Sequence, residues 1–458
     1  MKKINLVFIL AIACALFVCA SGASATTYYV PDEFTKIQWA VDNASAGDTI
    51  IVRDGTYNEN VEVDKQLTIK SENGSANCIV DGGGSGDVIT LNADGITIEG
   101  FTVRDSGWWP DAGIKAVSNA NKIAYNSITN NWHGIYLYYS SDNAIYNNTA
   151  SNNENGIFLW WSSNNTIYNN TANSNNDDGI ELYYSSNNTI YNNTVNSNNE
   201  DGFFLYDSSS NTIYNNTTNS NNDHGIELDD SSNNTIYNNI ASSNNYYGIY
   251  LWWYSSNNTI YNNTASNNEN GIYLYSSSNN KIYLNNFINN TDQVSSSFST
   301  NIWNSTEKIT YTYNGNQYTS YLGNYWSDYK GSDADGDGIG DTPYSIDGDK
   351  DYYPLMKPFE NYIIAPEVAI FDTGSPPNPY PSIAGAHYGT ITPNKTIIAT
   401  KLYTYPCPGT GGHTESIKLE ENGTLIANGT WEGYTGDWHN ITLHNATCLL
   451  YTSPSPRD

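Results

Sequence analysis

The fold is decided by a unit that reads Gly156-Ile-Phe-Leu-Trp-Trp-Ser-Ser-Asn-Asn-Thr-Ile-Tyr-Asn-Asn170. A polar Asn/Ser stretch follows it, and the unit then starts again. Further copies begin at glycines spaced 22 and then 23 residues apart: Gly134, Gly156, Gly179, Gly202, Gly225, Gly248 and Gly271. Self-similarity at a fixed period of this length is typical of proteins in which each copy forms one turn of a solenoid.

In each unit, successive side chains alternate between apolar residues on one side and more polar residues on the other, as in a β-strand. Ile180 and Leu182 point to one side while Glu181 and Tyr183 point to the other, and Thr189-Ile-Tyr191 forms a second short strand. The Asn, Ser and Gly residues between the strands favour turns. The sequence therefore predicts an all-β solenoid whose strands pair with their equivalents in the coils above and below.

Stacked coils place equivalent residues in columns. We expect two buried apolar ladders and one ladder of stacked amides. Their members are Ile145, Ile167, Ile190, Ile213, Ile236, Ile260 and Ile282; Leu137, Leu159, Leu182, Leu205, Leu228, Leu251 and Leu274; and Asn147, Asn169, Asn192, Asn215, Asn238 and Asn262. A short amphipathic helix is predicted within 35–44, with Ile37, Ala40 and Val41 covering the first coil.

Composition narrows the classes of partner. The 458-residue chain has 18 basic and 47 acidic residues and a net charge of -29, which argues against nucleic acid and anionic membranes. Cations and neutral glycans remain as classes of binding partner. Residues 1–25 resemble a secretory signal, and no later apolar run approaches the roughly 18 residues that span a bilayer. We expect a secreted or cell-surface protein, monomeric, with sequons such as Asn43-Ala-Ser45 that favour a glycoprotein.

The domain order follows from changes in composition. We predict a signal peptide, an N-terminal cap, parallel β-helix repeats, a C-terminal β-helix segment with an Asp-rich loop, and a truncated β-sandwich-like module. The last eleven residues resemble a translated sequencing adapter and are expected to be extraneous. The ranges are, in that order, 1–25, 26–47, 48–300, 301–362, 363–447 and 448–458.

Two outward columns are rich in aromatic residues. Aromatic rings at the spacing of successive coils suit stacking on sugars, whereas the alternative is that tyrosines merely suit exposed strands. The candidate carbohydrate-binding residues are Tyr136, Phe158, Phe204, Tyr250 and Tyr273 in one column and Tyr138, Trp160, Tyr183, Tyr206, Trp252 and Tyr275 in the other.

Acidic residues interrupt these columns. Glycoside hydrolysis needs two carboxylates about 5–10 Å apart, so either the pair Glu227 and Asp229 or the pair Asp178 and Asp201 is a candidate catalytic pair. The repeats between 134 and 280 contain no Lys or Arg, which counts against acidic polysaccharides. The alternative is that these acidic residues only form a solvated surface without a catalytic role. His133 and His224 fall four coils apart in one column and are expected to be exposed and isolated.

A separate motif predicts bound calcium. Asp333, Asp335, Asp337 and Asp341 alternate around glycines, with Ile339 in the position that supplies a backbone carbonyl. Tyr344 stands where an EF-hand has its bidentate Glu, so the pattern is incomplete. We expect a structural Ca²⁺, and the alternative is a solvated acidic turn.

Several motifs resemble one family. Gly-Asp-Thr-Ile-Ile-Val at 47–52, Ile-Glu-Gly-Phe-Thr-Val at 98–103 and the repeated Gly-Ile-Tyr-Leu and Asn-Asn-Thr-Ile are similar to NosD-like proteins and the wider group of carbohydrate-binding and sugar-hydrolase β-helices. The resemblance implies a right-handed, pectate-lyase-like parallel β-helix, as in archaeal cell-surface proteins. It also implies a copper association, although the chain has few sulfur ligands.

The sequence therefore favours a non-catalytic β-helix that binds or presents to polysaccharides or glycoprotein glycans. The first alternative is a polysaccharide hydrolase or lyase that uses the acids of the helix face. The second is a NosD-like accessory protein in copper-site maturation.

Overall fold

The computed structural model describes residues 25–364 and, beyond them, mainly the backbone of four strands: Ile397–Thr404, Ser416–Glu421, Thr424–Thr430 and His439–Leu449. Most of the predicted signal peptide and the final residues 450–458 lie outside the described residues. The chain divides into two compact units, 1–363 and 364–458.

The first unit is a parallel β-solenoid with about one strand of each of three sheets per coil. Every pairing within these three sheets joins equivalent strands of neighbouring coils in parallel. Sheet A has twelve strands: Thr27–Val30, Thr49–Val52, Thr68–Ser71, Thr97–Glu99, Lys122–Ala124, Ala144–Tyr146, Thr166–Tyr168, Thr189–Tyr191, Thr212–Tyr214, Thr235–Tyr237, Thr259–Tyr261 and Lys281–Tyr283.

The leading glycines lie in or directly before the strands of sheet B, which also carries the aromatic columns. Its eleven strands are Val61–Val63, Ile89–Leu91, Ala112–Ala116, His133–Tyr138, Asn155–Trp160, Ile180–Tyr183, Phe203–Tyr206, Ile226–Asp229, Tyr247–Trp252, Asn270–Tyr275 and Asp292–Ser297.

Sheet C has two five-stranded parts, connected by single bridges through Thr171 and Thr194. The strands are Gly55–Asn58, Cys78–Asp81, Thr102–Arg104, Ser127–Thr129 and Thr149–Ala150, then Thr217–Asn219, Ile240–Ser242, Thr264–Ser266, Asn286–Ile288 and Tyr325–Trp326.

The apolar columns form the core as predicted. Each of the seven isoleucines from Ile145 to Ile282 and each of the seven leucines from Leu137 to Leu274 is fully buried. The predicted helix is also confirmed: Ile37–Asn43 buries Ile37, Ala40 and Val41. Burial of aliphatic side chains stabilises a fold by roughly 1.5–3 kcal/mol each, so this continuous core is the main source of stability.

The predicted amide ladder is displaced by one residue. Asn147 and its equivalents are not buried in a ladder but lie at corners with φ near +56°, a conformation that Asn tolerates better than most residues. The next residue of each coil forms the ladder instead: Asn148, Asn170, Asn193, Asn216, Asn239 and Asn263. Asn193 shows the pattern, because its Nδ2 donates to Ile167 O and to Asn216 Oδ1, both at 3.0 Å.

The leading glycines have a steric role. A Cβ atom on Gly225 would lie 2.6 Å from the carbonyl oxygen of Gly248 and 2.9 Å from the Cβ of Ala241. Real Cβ atoms do not approach that closely, so only glycine allows adjacent coils to stack at this column. The recurrence of glycine therefore reflects close backbone approach and not a turn conformation.

Beyond the last coil lie two antiparallel pairs, Ile309–Tyr313 with Asn316–Ser320 and Tyr344–Ile346 with Asp349–Asp351. A 3-10 helix, Phe359–Asn361, and the short strand Ile363–Ile364 follow. In the second unit, Ile397–Thr404 pairs antiparallel with His439–Leu449, and Ser416–Glu421 pairs antiparallel with Thr424–Thr430. This is a small β-sheet module. Among the described residues, no helix has the length and apolar character required to cross a bilayer.

Candidate ligand-binding face

Sheet B presents two outward columns in exact register. The inner row is the column of the second residue after each leading glycine, and the outer row is the column two residues further on. The inner row runs Tyr136, Phe158, Glu181, Phe204, Glu227, Tyr250 and Tyr273, and the outer row runs Tyr138, Trp160, Tyr183, Tyr206, Asp229, Trp252 and Tyr275. The structure thus places all the predicted carbohydrate-binding residues on one face.

The expectation that the whole inner row faces solvent is wrong at one end. Tyr136 and Phe158 are only 2% and 3% exposed. Trp109, from a segment of the preceding coil, packs on Phe158 with ring centroids 6.5 Å apart, and Phe158 in turn stacks on Tyr136. His133 packs beneath it, 4.7 Å from Phe158. These rings therefore belong to a closed aromatic cluster rather than to an open surface.

The outer row forms a partly open aromatic strip. Tyr183 lies 5.5 Å from Trp160 and stacks on Tyr206 at 4.5 Å. Trp252 stacks on Tyr275 at 4.6 Å in later coils. Tyr138 at the start is exposed, and the remaining aromatic members are half-buried. Because neighbouring rings are held against one another by a rigid ladder, the strip offers a ligand an apolar surface that is already ordered.

Sequence reasoning missed a third aromatic row at the corner that follows sheet B. Trp161 lies between Tyr139 and Tyr184, with ring centroids 6.2 Å and 4.4 Å apart and planes within 11° of parallel. We call these three residues the corner row. Tyr139 and Trp161 are exposed. The signal in the sequence is the doubled aromatic at 138–139, 160–161 and 183–184, whose second ring has to leave the strand.

The corner row has an unfavourable backbone conformation. Its φ angles are 49°, 51° and 52°, in the left-handed region that costs an ordinary side chain roughly 1–2 kcal/mol. The other corners of these coils carry Asn, Asp or Ser at such positions. Strain of this kind is concentrated at functional sites.

Acids replace aromatics in the middle coils. We call the following eight residues the acid patch: Asp177, Asp178, Glu181, Glu200, Asp201, Asp223, Glu227 and Asp229. Asp178 and Asp201 are buried in its floor, whereas Glu200 is exposed at its rim. The Asp201 N–H donates to Asp178 Oδ1 at 2.8 Å, and the His224 N–H donates to Asp201 Oδ1 at 2.7 Å. The patch is therefore built into the stacking of three coils.

The patch has unusual electrostatics. Burial, reinforced by neighbouring carboxylates, raises the pKa of Glu181 to about 8 and those of Glu200 and Glu227 to about 7. Burial also raises the pKa values of Asp178 and Asp201 well above their usual range. Residues 134–280 contain no Lys or Arg, so no such cation of these coils counters the rise in these pKa values.

Besides the predicted pair Asp178 and Asp201, which stacks in adjacent coils, the structure brings together groups from different columns. Carboxylate oxygens of Asp201 and Glu227 and a ring nitrogen of His224 lie within 4.8 Å of one another. The expectation of exposed, isolated histidines is wrong: His133 is 1% exposed, and His224 Nε2 lies 3.6 Å from Glu227 Oε2. Burial lowers the pKa of His224 to about 4. A second such group is Asp177, Asp178 and Glu200. Both groups have oxygen ligands suited to a cation.

The Asp-rich loop gathers only part of its predicted ligand set. Carboxylate oxygens of Asp333, Asp335 and Asp337 lie within 4.8 Å of one another. Asp341 instead accepts from Ser332 Oγ at 2.9 Å and from the Ala334 N–H at 3.0 Å. Tyr344 hydrogen-bonds to Asp328, away from the loop. The three clustered carboxylates fit a hard divalent cation.

Comparison with known families confirms the resemblance inferred from the motifs. Residues 184–331 match the family described as periplasmic copper-binding protein (NosD), and residues 86–240 match the right-handed β-helix region. Over 106 residues the chain is 40% identical to a cell surface glycoprotein of Methanothermus fervidus. That match covers 22% of this chain and only 17% of the relative, so the chain spans a small part of the relative's length.

Solved structures share the fold. The A-module of mannuronan C-5 epimerase AlgE6 from Azotobacter vinelandii is 15% identical with a TM-score of 0.44, over 58% of this chain and 92% of that one. Pectate lyase Pel9A is 17% identical with a TM-score of 0.40, over 60% and 79%. XylC in complex with xylose is 14% identical with a TM-score of 0.47, over 57% and 75%. At these identities the likeness is one of fold alone.

Proposed function

We propose that this protein is an extracellular or cell-envelope β-helix that binds glycans across the outer row and the corner row. The observation that carries the proposal is the corner row, where three aromatic residues keep a left-handed backbone that Asn would adopt more easily. The rings stack on one another, and Tyr139 and Trp161 stay exposed, which leaves an apolar surface against which a sugar can pack. The name of the Methanothermus fervidus relative supports the location.

Replacing the corner rings by Asn should separate binding from stability. Trp161→Asn with Tyr184→Asn removes two stacking surfaces and should weaken glycan binding about tenfold or more, because each stacked ring contributes about 0.5–1.5 kcal/mol. The thermal midpoint should stay equal or rise, since Asn relieves the backbone. Binding of the purified chain to a neutral glycan array, followed by titration of the best oligosaccharide, measures both effects.

Trp39→Ala is the matched control, because Trp39 is an equally exposed tryptophan on the N-terminal helix. It should bind as the parent chain does. Unchanged binding by the double Asn variant would contradict the proposal. Mass spectrometry of the bound oligosaccharide should show that it stays intact. Shortened or unsaturated products would show that the protein is an enzyme and not only a glycan-binding protein.

We also propose that Asp333, Asp335 and Asp337 hold a structural Ca²⁺. The loop packs on the C-terminal part of the solenoid unit, where Tyr311 Oη donates to Asp337 O at 3.0 Å. Calcium at one hundred times its dissociation constant should stabilise the fold by about 2.7 kcal/mol, so chelation should lower the thermal midpoint. Asp333→Asn with Asp335→Asn should remove the response to chelator. An equal midpoint of the parent chain with and without calcium would refute the site.

A further inference from the structure

The corners on either side of sheet A carry one sequence, Asn-Asn-Thr, in most copies of the repeat. One corner comes before a strand of the sheet and the other follows it, and the first Asn at both has the left-handed backbone conformation. These corner Asn residues are Asn164, Asn187, Asn233 and Asn257 before the strands and Asn147, Asn169, Asn192, Asn215 and Asn262 after them. Thr two residues after Asn completes the acceptor motif for N-linked glycosylation. The motif therefore recurs in two columns along the rod.

The two Asn residues of each motif have different surroundings. The second is buried in an amide ladder, as at Asn188, whose Nδ2 donates to Ser162 O at 3.2 Å. The first lies at the surface: Asn187 is exposed, and its side chain makes no hydrogen bond to any residue that the structure describes. The other corner Asn residues of the two columns are also exposed, except that Asn147 and Asn262 are half-buried. A corner Nδ2 can therefore carry a sugar without loss of the ladder hydrogen bonds.

Residues 215–218, Asn-Asn-Thr-Thr, contain two overlapping motifs that the sequence alone does not distinguish. One begins at Asn215, an exposed corner, and the other at Asn216, which is 1% exposed. Asn216 Nδ2 donates to Ile190 O at 3.1 Å and to Asn239 Oδ1 at 3.0 Å. A sugar on Asn216 would have to enter the packed interior and would replace one of the hydrogens that make these bonds. Of the two, only Asn215 can carry a sugar in the folded chain.

The left-handed conformation does not by itself explain Asn at these corners. A third corner precedes sheet B, and in consecutive coils it has Ser174, Ser197, Ser220 and Ser243. Serine keeps φ at 57–59° there, within the range of the corner Asn residues, and the residue two positions later is Asn and not Thr. Within the repeat copies, a left-handed corner with Thr two residues later has Asn at every position except Ser210. Asn thus occurs where Thr completes the motif.

We propose that the corner Asn residues on either side of sheet A are sites of N-linked glycosylation. In the transfer, Nδ2 forms a bond to C1 of the first sugar, the bond between C1 and an oxygen of a lipid-linked diphosphate donor breaks, and one Nδ2 hydrogen leaves as a proton. Successive corners of a column lie about 4.8 Å apart, so a glycan on one coil hinders another on the next and each site is filled in part of the molecules. The proposal requires export of the chain but not the proposed glycan-binding activity.

The test uses the full chain secreted from a host that glycosylates exported proteins. Enzymatic release of the glycans in heavy-oxygen water converts each glycosylated Asn to labelled Asp, and mass spectrometry of peptides cut after aromatic residues locates the label. We expect label at corner Asn residues of both columns, including Asn215, and none at Asn216. A co-secreted glycoprotein of the host shows that the transferase is active. Label on that protein and on no corner Asn, or label at Asn216, would overturn the proposal.

Two substitutions move the motif by one coil. Thr217→Val removes the motif of Asn215 but keeps that of Asn216, so label in this coil should fall to background. Ile240→Thr completes a motif at the exposed corner Asn238, where the parent chain should carry no label and the variant should gain it. Ile240 is 46% exposed and lies in register between two threonines, so both variants should keep the parental thermal midpoint. Label that persists in the first variant, or fails to appear in the second, would contradict the proposal. Labelled corners on a chain that binds no glycan would overturn the proposed function alone.

Discussion

Asn193→Leu is expected to destabilise the protein by about 5 kcal/mol. The buried amide of Asn193 donates to Ile167 O and Asn216 Oδ1 and accepts from the backbone N–H and Nδ2 of Asn170, at 2.9–3.1 Å. Leucine has similar size but leaves the donors of Asn170 and the carbonyl of Ile167 without these partners. Each unsatisfied buried group costs about 1–3 kcal/mol.

The neighbouring residue provides the control. Asn192 lies at the exposed corner with φ 56° and contributes no buried ladder amide. Asn192→Gly should therefore change stability by less than about 0.5 kcal/mol, because glycine adopts this conformation without strain. Urea or thermal unfolding of both variants measures the difference. Similar losses from the two substitutions would contradict the assignment of ladder and corner.

Raising the pH from 4 to 6 is expected to destabilise the protein through Asp351 by about 2 kcal/mol. Asp351 is fully buried behind the last coil and accepts from the Asn324 N–H at 2.7 Å and Trp326 Nε1 at 2.9 Å. Burial, opposed in part by these hydrogen bonds, raises the pKa of Asp351 to about 6. The folded state therefore holds a proton that the unfolded chain releases near pH 4, so the stabilisation is complete below that pH and is lost as the pH rises through 6.

Asp351→Asn should make the plot of unfolding free energy against pH shallower by about 1 kcal/mol per pH unit in the middle of this window, since the folded and unfolded states differ there by a little less than one bound proton. Asp64→Asn, at an exposed carboxylate near the other end of the solenoid, should leave the slope as it is. Thermal midpoints measured at half-unit steps from pH 4 to 7 distinguish the two variants. A parental slope in Asp351→Asn would refute the assignment.

The sequence predicted the solenoid and its apolar columns because Ile and Leu alternate without ambiguity in every copy. It placed the amide ladder one residue early because the residues come in Asn-Asn pairs, and identical neighbours do not reveal which one turns the corner. Alternation from Ile145 gives Asn147 the inward position, but the left-handed corner changes the parity before Asn148. To predict which Asn of each pair is buried, one therefore has to know the backbone conformation at the corner as well as the repeat period.

The candidate face was predictable where it follows the register and not where it depends on segments outside the repeat. The members of both rows fall on sheet B as expected. His133 and Phe158 are buried against Trp109, whose segment belongs to no repeat copy. The group of Asp201, His224 and Glu227 joins two columns and two coils, a juxtaposition that spacing along either column does not display.

The glycine column has a consequence for how such a protein can change length. Each repeat copy from Gly134 to Gly271 meets its neighbour through the same close approach at glycine and the same amide ladder, so an inserted or deleted copy of 23 residues would rejoin matching surfaces on both sides. Recombination between copies can then lengthen the molecule by whole coils. Each added coil would increase the distance between the aromatic coils at the two ends by the same amount. The residues that each coil presents would stay the same.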